Sequence, residues 1–129
     1  MSLPRIRVVA AEIERDGAYL ITQRRAEAAL PLLWEFPGGR VHEGESDGDA
    51  IRRCLRDRIG CDAQLGHRVL QVSHRYGDYE LDMVVYRCGL VGEPVARRVA
   101  DVRWVRPEAF GDYRFPGADQ LTVDALLKE

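Results

Sequence analysis

The stretch that most constrains this chain is WEFPGGRVHEGESDGDAIRRCLRDRIG, residues 34–60. Pro37, Gly38 and Gly39 force a sharp loop. After it, Ser46 is a ready N-cap, Asp47 and Asp49 suit the positive end of a helix, and Ala50, Ile51, Cys54, Leu55 and Ile59 recur at helical spacing up to Gly60, a natural C-cap. A helix over 46–60 has an apolar face to bury against another element, and its neighbours read as strands. IRVVAAEI (6–13) is apolar enough for a central strand, and ERDGAY turns it into YLITQR, read as its hairpin partner. Residues 26–33 form an irregular or briefly helical connection broken at Pro31. HRVLQVSHRY and YELDMVVYRCGLV flank a Gly-Asp turn as a long hairpin, and VRWV is a short final strand. Leu121, Val123, Leu126 and Leu127 support a last helix from about Asp119. Hairpins plus one crossover predict a mixed-sheet α/β or α+β fold, and a chain of 129 residues without repeat, linker or low-complexity segment predicts one domain over 1–129.

A formal net charge of −2 argues against a duplex nucleic-acid surface, which needs a basic stripe, while leaving single nucleotides as candidate ligands. Eighteen of the nineteen basic residues are Arg, so any one Arg is a weaker functional signal here than elsewhere. The three cysteines and three histidines have neither CxxC nor HxxxH spacing, which points to buried free thiols rather than zinc. No apolar run approaches the roughly 18 residues of a membrane span, and no signal-peptide pattern opens the chain. The odd thiol count and these absences predict a cytoplasmic protein without membrane association.

Gly39, Glu45, Arg53, Leu55 and Gly60 stand at the spacing G-x5-E-x7-R-x-L-x4-G. On these residues the chain resembles the Nudix hydrolases, whose signature is G-x5-E-x7-R-E-U-x-E-E-x-G-U, with U a bulky aliphatic residue. Asp57 is a conservative replacement for one Glu of that pattern and Cys61 stands at its last aliphatic position, whereas Cys54 and Arg58 depart from it at two Glu positions. The resemblance extends over the chain and is nearest the MutT branch, through QRRA, WEFPGG, GEPVARR, RWV and FPGAD. It implies an α/β/α sandwich with a mixed sheet, hydrolysis of nucleoside triphosphates to monophosphate and pyrophosphate, and Mg²⁺ or Mn²⁺ as cofactor.

Positions 54, 57 and 58 share one helical face, since i, i+3 and i+4 are neighbours. Three carboxylates there, beside a glycine-loop carbonyl, would make an oxygen-rich site for a hard cation that bridges polyphosphate and activates water. The family's metal positions fall here on Gly38 and Asp57, with Cys54, Arg58 and, by the GEPVARR correspondence, Arg98 replacing carboxylates. A soft thiol suits Mg²⁺ poorly, and an adjacent guanidinium both repels the ion and competes for Asp57. Weak or absent metal binding is therefore expected. Two readings stay open: drift in an Arg-rich chain, the plainer one, or Arg58 and Arg98 binding phosphate oxygens in place of a cation.

The resemblance also implies ligand contacts. Trp34 and Phe36 would border the base, though core packing accounts for at least one of them. Asp119 would hydrogen-bond the base or cap the last helix, and Arg24 and Arg25 would meet sugar or phosphate, unless one is only a surface ion-pair residue. Glu45 and Arg53 brace loop and helix. Glu45 and Asp57 are the remaining catalytic candidates, and His42 and Glu43 lie in the loop as solvated residues within possible reach of a ligand. The expected function is binding of a nucleoside di- or triphosphate or related phosphate compound, with hydrolysis lost or strongly reduced. The alternatives are an active pyrophosphohydrolase with a relocated metal site and a catalytically dead protein-interaction domain.

Overall fold

The structure is a computed structural model that describes residues 3–128. Strand β1 (Arg5–Glu12) is its axis. β1 lies antiparallel to β5 (Gly38–Arg40), with Val9 opposite Gly39, and parallel to β7 (Tyr79–Val91), with Val9 opposite Val84. β7 returns from β6 (Asp62–Tyr76) through the Gly-Asp turn at 77–78, giving the order β5-β1-β7-β6. A second sheet pairs β3 (Ala18–Gln23) with β2 (Glu14–Arg15), β4 (Trp34–Glu35) and β8 (Asp101–Val105).

The expected hairpin between residues 6–13 and YLITQR is thus corrected. Both edges of β1 are taken by β5 and β7, so after Glu12 the chain crosses to the second sheet. Of residues 5–15 only the two of β2 pair with β3, across Asp16 and Gly17 at positive φ, and one bond, Leu20 N to Ile13 O at 3.0 Å, marks the crossing. β6 also begins at Asp62, ahead of His67, because register irregularities between Leu65 and Leu70 break the alternation by which a strand is read.

Helix α1 (Asp47–Ile59) has the predicted ends: Ser46 Oγ accepts from Asp49 N, and Gly60 closes it at φ 69°. Ala50, Ile51, Leu55 and Ile59 bury against Val9, Ala11, Ile13 and Leu20 on one face of the sheets. Each Ile, Leu or Val side chain among them contributes about 1.5–3 kcal/mol on burial. The opposite face carries Ala10, Tyr19, Ile21 and Val85 under α2 (Gly117–Leu127), which supplies Ala118, Val123 and Leu126, and Phe110 of the short 3-10 helix Pro107–Asp112 joins them. Alternate residues of β1 and β3 feed opposite cores, as the period of a strand requires. The result is an α/β/α sandwich around one mixed sheet, β5-β1-β7-β6, and one antiparallel sheet. Among the described residues, no helix is long and apolar enough to cross a membrane.

Candidate functional site

The signature helix and the glycine loop meet at a cleft. Gly39 lets them approach, since a Cβ there would lie 2.9 Å from Cys54 Sγ and 2.8 Å from Arg58 Nη2. Cys54 is 2% exposed, and burial raises its thiol pKa, so it remains a neutral, buried thiol. Arg58 turns back over the loop and donates from Nη1 to the Gly38 carbonyl. The same Nη1 lies 3.9 Å from Glu35 Oε2. Arg98 Nη1 donates to Asp57 Oδ1 at 3.1 Å. The loop bearing Arg98 is stitched to the end of α1: Arg97 N and Arg98 N both donate to Arg58 O, and Val95 N donates to Ile59 O, each at 3.0 Å. These bonds satisfy helix-terminal carbonyls that would otherwise lack partners.

Mg²⁺ or Mn²⁺, as the resemblance implies, would need the Gly38 carbonyl and carboxylates at 54, 57, 58 and 98. These residues do not fit it. Arg58 holds the carbonyl, Arg98 holds Asp57, and Cys54 is a desolvated thiol. Two unit positive charges about 4 Å apart at an effective dielectric of about 20 repel by about 4 kcal/mol, so a divalent ion beside Arg58 faces a penalty rather than a cage.

Two adjoining lobes make up the cleft, of about 210 and 250 Å³, both lined by Arg24, Glu35 and Arg58. The smaller adds Arg25, Asp57 and Arg98. The larger adds Val8, Phe36, Tyr76, Tyr79 and Asp119. Arg24 is locked at the junction, donating to Glu35 Oε1 at 2.9 Å and to Ala29 O at 2.6 Å. Tyr76 and Tyr79 stack at 5.5 Å, and Tyr76 Oη accepts from Ala118 N at 2.9 Å.

Asp119 is 7% exposed and sits in the first turn of α2. Its expected capping role is corrected: α2 begins after Pro116 without a side-chain cap, and Asp119 Oδ1 instead accepts from Phe36 N at 3.3 Å. Burial, and next the negative charge of Glu35, hold its carboxyl well above the usual range. A raised carboxyl pKa makes Asp119 favour folding fully below the unfolded value near 4 and progressively less as pH rises through the folded value. Asp119→Asn keeps the Phe36 bond and removes the titration. Its melting temperature is therefore expected to exceed the parent's by several degrees at about pH 8 and to converge with it at about pH 4. A parent that gains on the variant between these pH values would show that ionised Asp119 is stabilised instead.

The other predicted residues are distributed as follows. Phe36 is 2% exposed, packed on Phe110 and Phe115, and forms a wall of the larger lobe. Trp34 lies away from the cleft, edge-on to Tyr113 and beneath the Arg103 guanidinium. Arg25 lines the smaller lobe and pairs with Glu27. Both Glu45 oxygens are held by Arg53, Oε1 also accepts from His42 N, and these bonds lower the Glu45 pKa to about 2. Glu45, His42 and Glu43 do not line the two lobes. Glu35, Tyr76 and Tyr79 escaped the sequence reading. A charged residue between Trp34 and Phe36, and two tyrosines flanking a turn, were the available signals.

The molecule is an α/β/α sandwich whose glycine loop and signature helix meet at a two-lobed, arginine-lined cleft. The family model of the NUDIX domain matches residues 8–125. CTP pyrophosphohydrolase of Escherichia coli (strain K12) is 48% identical over 123 residues, covering 95% of this chain and 91% of that protein. An 8-oxo-dGTP diphosphatase of Haemophilus influenzae is 31% identical over 124 residues, covering 94% and 91%. The solution structure of the E. coli ORF135 protein superposes with a TM-score of 0.85 at 31% identity, covering 98% of this chain and 91% of that one. The chain belongs to the Nudix family and is MutT-like.

Proposed function

We propose that this chain, acting as one domain over residues 1–129, binds a nucleoside di- or triphosphate or a related phosphate compound, and that metal-dependent pyrophosphohydrolysis is lost or strongly reduced. The observation that carries this reading is the Arg58 guanidinium on the Gly38 carbonyl, where the family resemblance puts a cation. In this reading the nucleoside occupies the larger lobe, between Tyr76, Tyr79 and Asp119, and the phosphates meet Arg24, Arg25, Arg58 and Arg98 in the smaller one. Asp119, whose carboxyl burial holds well above the usual range, offers the base an acceptor, and a donor in its protonated form. Hydrolysis would need a base poised to take a proton from water. Glu45 is too acidic for that task, and Glu35 and Asp57 are each held by an arginine.

A second reading, an active pyrophosphohydrolase with its ion relocated toward Glu35 and Asp57, draws support from the 48% identity to a CTP pyrophosphohydrolase. One assay separates the two. CTP, 8-oxo-dGTP and the common nucleoside triphosphates are incubated with Mg²⁺ or Mn²⁺, and monophosphate and pyrophosphate are followed. Turnover at least about 10³-fold below the ~10 s⁻¹ of a typical enzyme is expected. Turnover at ordinary rates would establish the second reading and reject the first.

A further inference from the structure

We propose that the arginine-lined lobe takes the polyphosphate free of metal, so that a divalent cation competes with the protein for the ligand instead of joining it to the site. This rests on the reading that the cleft binds a nucleotide, and it adds the ionic form of that ligand and its regulation.

The charge arrangement carries the inference. Four guanidinium groups face two carboxylates in the smaller lobe, leaving a net charge of +2. Each carboxylate is already matched, Glu35 by Arg24 and Asp57 by Arg98. Of the other two guanidinium groups, Arg25 pairs with Glu27 outside the lobe lining, and Arg58 is the cation left over: its one hydrogen bond within the cleft goes to a neutral carbonyl, and Glu35 lies 3.9 Å away. Among the described residues, Nη2 and Nε of Arg58, and likewise of Arg98, make no hydrogen bond, so both guanidinium groups keep donors for an incoming anion. Planar guanidinium groups bind phosphate oxygens bidentately without an intervening ion. A nucleotide already chelated by Mg²⁺ would bring positive charge against Arg58, and its chelated oxygens could no longer accept from the guanidinium groups. The free polyphosphate meets neither obstacle. The lobe is held for this task, because Arg98 and Arg58 are joined through the main chain at Arg58 O.

The test is calorimetry of the whole chain with CTP, and in parallel with inorganic tripolyphosphate, in EDTA and then in rising Mg²⁺. CTP is expected to bind in EDTA and to weaken at least about tenfold once Mg²⁺ has chelated it. Arg98→Gln, at a side chain 60% exposed and so without consequence for folding, is expected to weaken binding in EDTA about tenfold. Arg58→Gln should do at least as much, with a thermal melt checking its fold. Arg68→Gln, away from the cleft, should change nothing. Binding that requires Mg²⁺, or strengthens with it, overturns the proposal. So does binding in EDTA that is indifferent to both Arg58→Gln and Arg98→Gln. Tripolyphosphate bound in EDTA without CTP would reject the nucleotide reading while upholding metal-free capture. Binding of neither probe would reject both.

Discussion

Cys54→Glu, Arg58→Glu and Arg98→Glu, made together, are expected to give divalent-cation binding stronger than the parent's. The exchange turns a neutral thiol and two guanidinium groups into three carboxylates around Asp57, and it releases the Gly38 carbonyl from Arg58. Gly39 already keeps the facing backbone clear of positions 54 and 58. The Glu45–Arg53 brace and both helix caps, untouched by the changes, hold the loop against the helix. Without an ion the clustered carboxylates should lower the melting temperature. Mn²⁺ at about 100 times its dissociation constant should then return about 2.7 kcal/mol, several degrees for a chain of this size. Affinity for CTP in EDTA should fall by more than tenfold, reversing the parent's preference. Thermal melts with and without Mn²⁺ check the first result. A folded triple variant that no divalent cation stabilises would reject the assignment of positions 54, 58 and 98 to the cation site.

The largest loss of stability from a single small substitution is expected at Gly38→Ala. A Cβ there would lie 2.0 Å from Val9 O and 2.8 Å from Ala10 Cα. Both are backbone atoms of the central strand, so neither can swing aside as a side-chain end would. Relief requires β5 to leave β1, which breaks the register Val8–Arg40, Val9–Gly39 and Ala10–Gly38 and moves the carbonyl that holds Arg58. A loss of about 3 kcal/mol or more is expected from such overpacking. Gly111→Ala serves as the control, since a Cβ there meets nothing within 4 Å. Urea unfolding midpoints compare the two variants. A Gly38→Ala midpoint close to that of Gly111→Ala would mean that β5 has room the described packing denies it.

What could be read from the sequence is what nearby residues determine. Helix α1 carries its apolar spacing, its Ser46 cap and its Gly60 stop within fifteen residues, and the β6–β7 hairpin is announced by its turn. The position of β1 depends on partners far along the chain, residues 80–87 and 38–40, and no local pattern separates a strand with two such partners from one arm of a hairpin. The cleft divides in the same way. The spacing of the signature picked out Cys54, Asp57 and Arg58, and the resemblance supplied Arg24, Arg98 and Asp119. That Arg58 reaches Gly38, and that Asp119 turns inward to Phe36 instead of capping α2, depends on how the two helix layers sit on the sheets. Glu35 was missed because it gains meaning only from Arg24, Arg58 and Asp119, which converge on it from other elements.

The two cores lie on opposite faces of the sheets, one under α1 and the other under α2, and the cleft opens where their edges meet. Its smaller lobe leans on α1 through Asp57 and Arg58, and its larger lobe leans on α2 through Asp119 and on Pro116 just before it. A molecule seated across both lobes would therefore touch the α1 layer and the α2 layer at once. Occupancy would be felt as slowed amide exchange in α2, even though the phosphates never touch it.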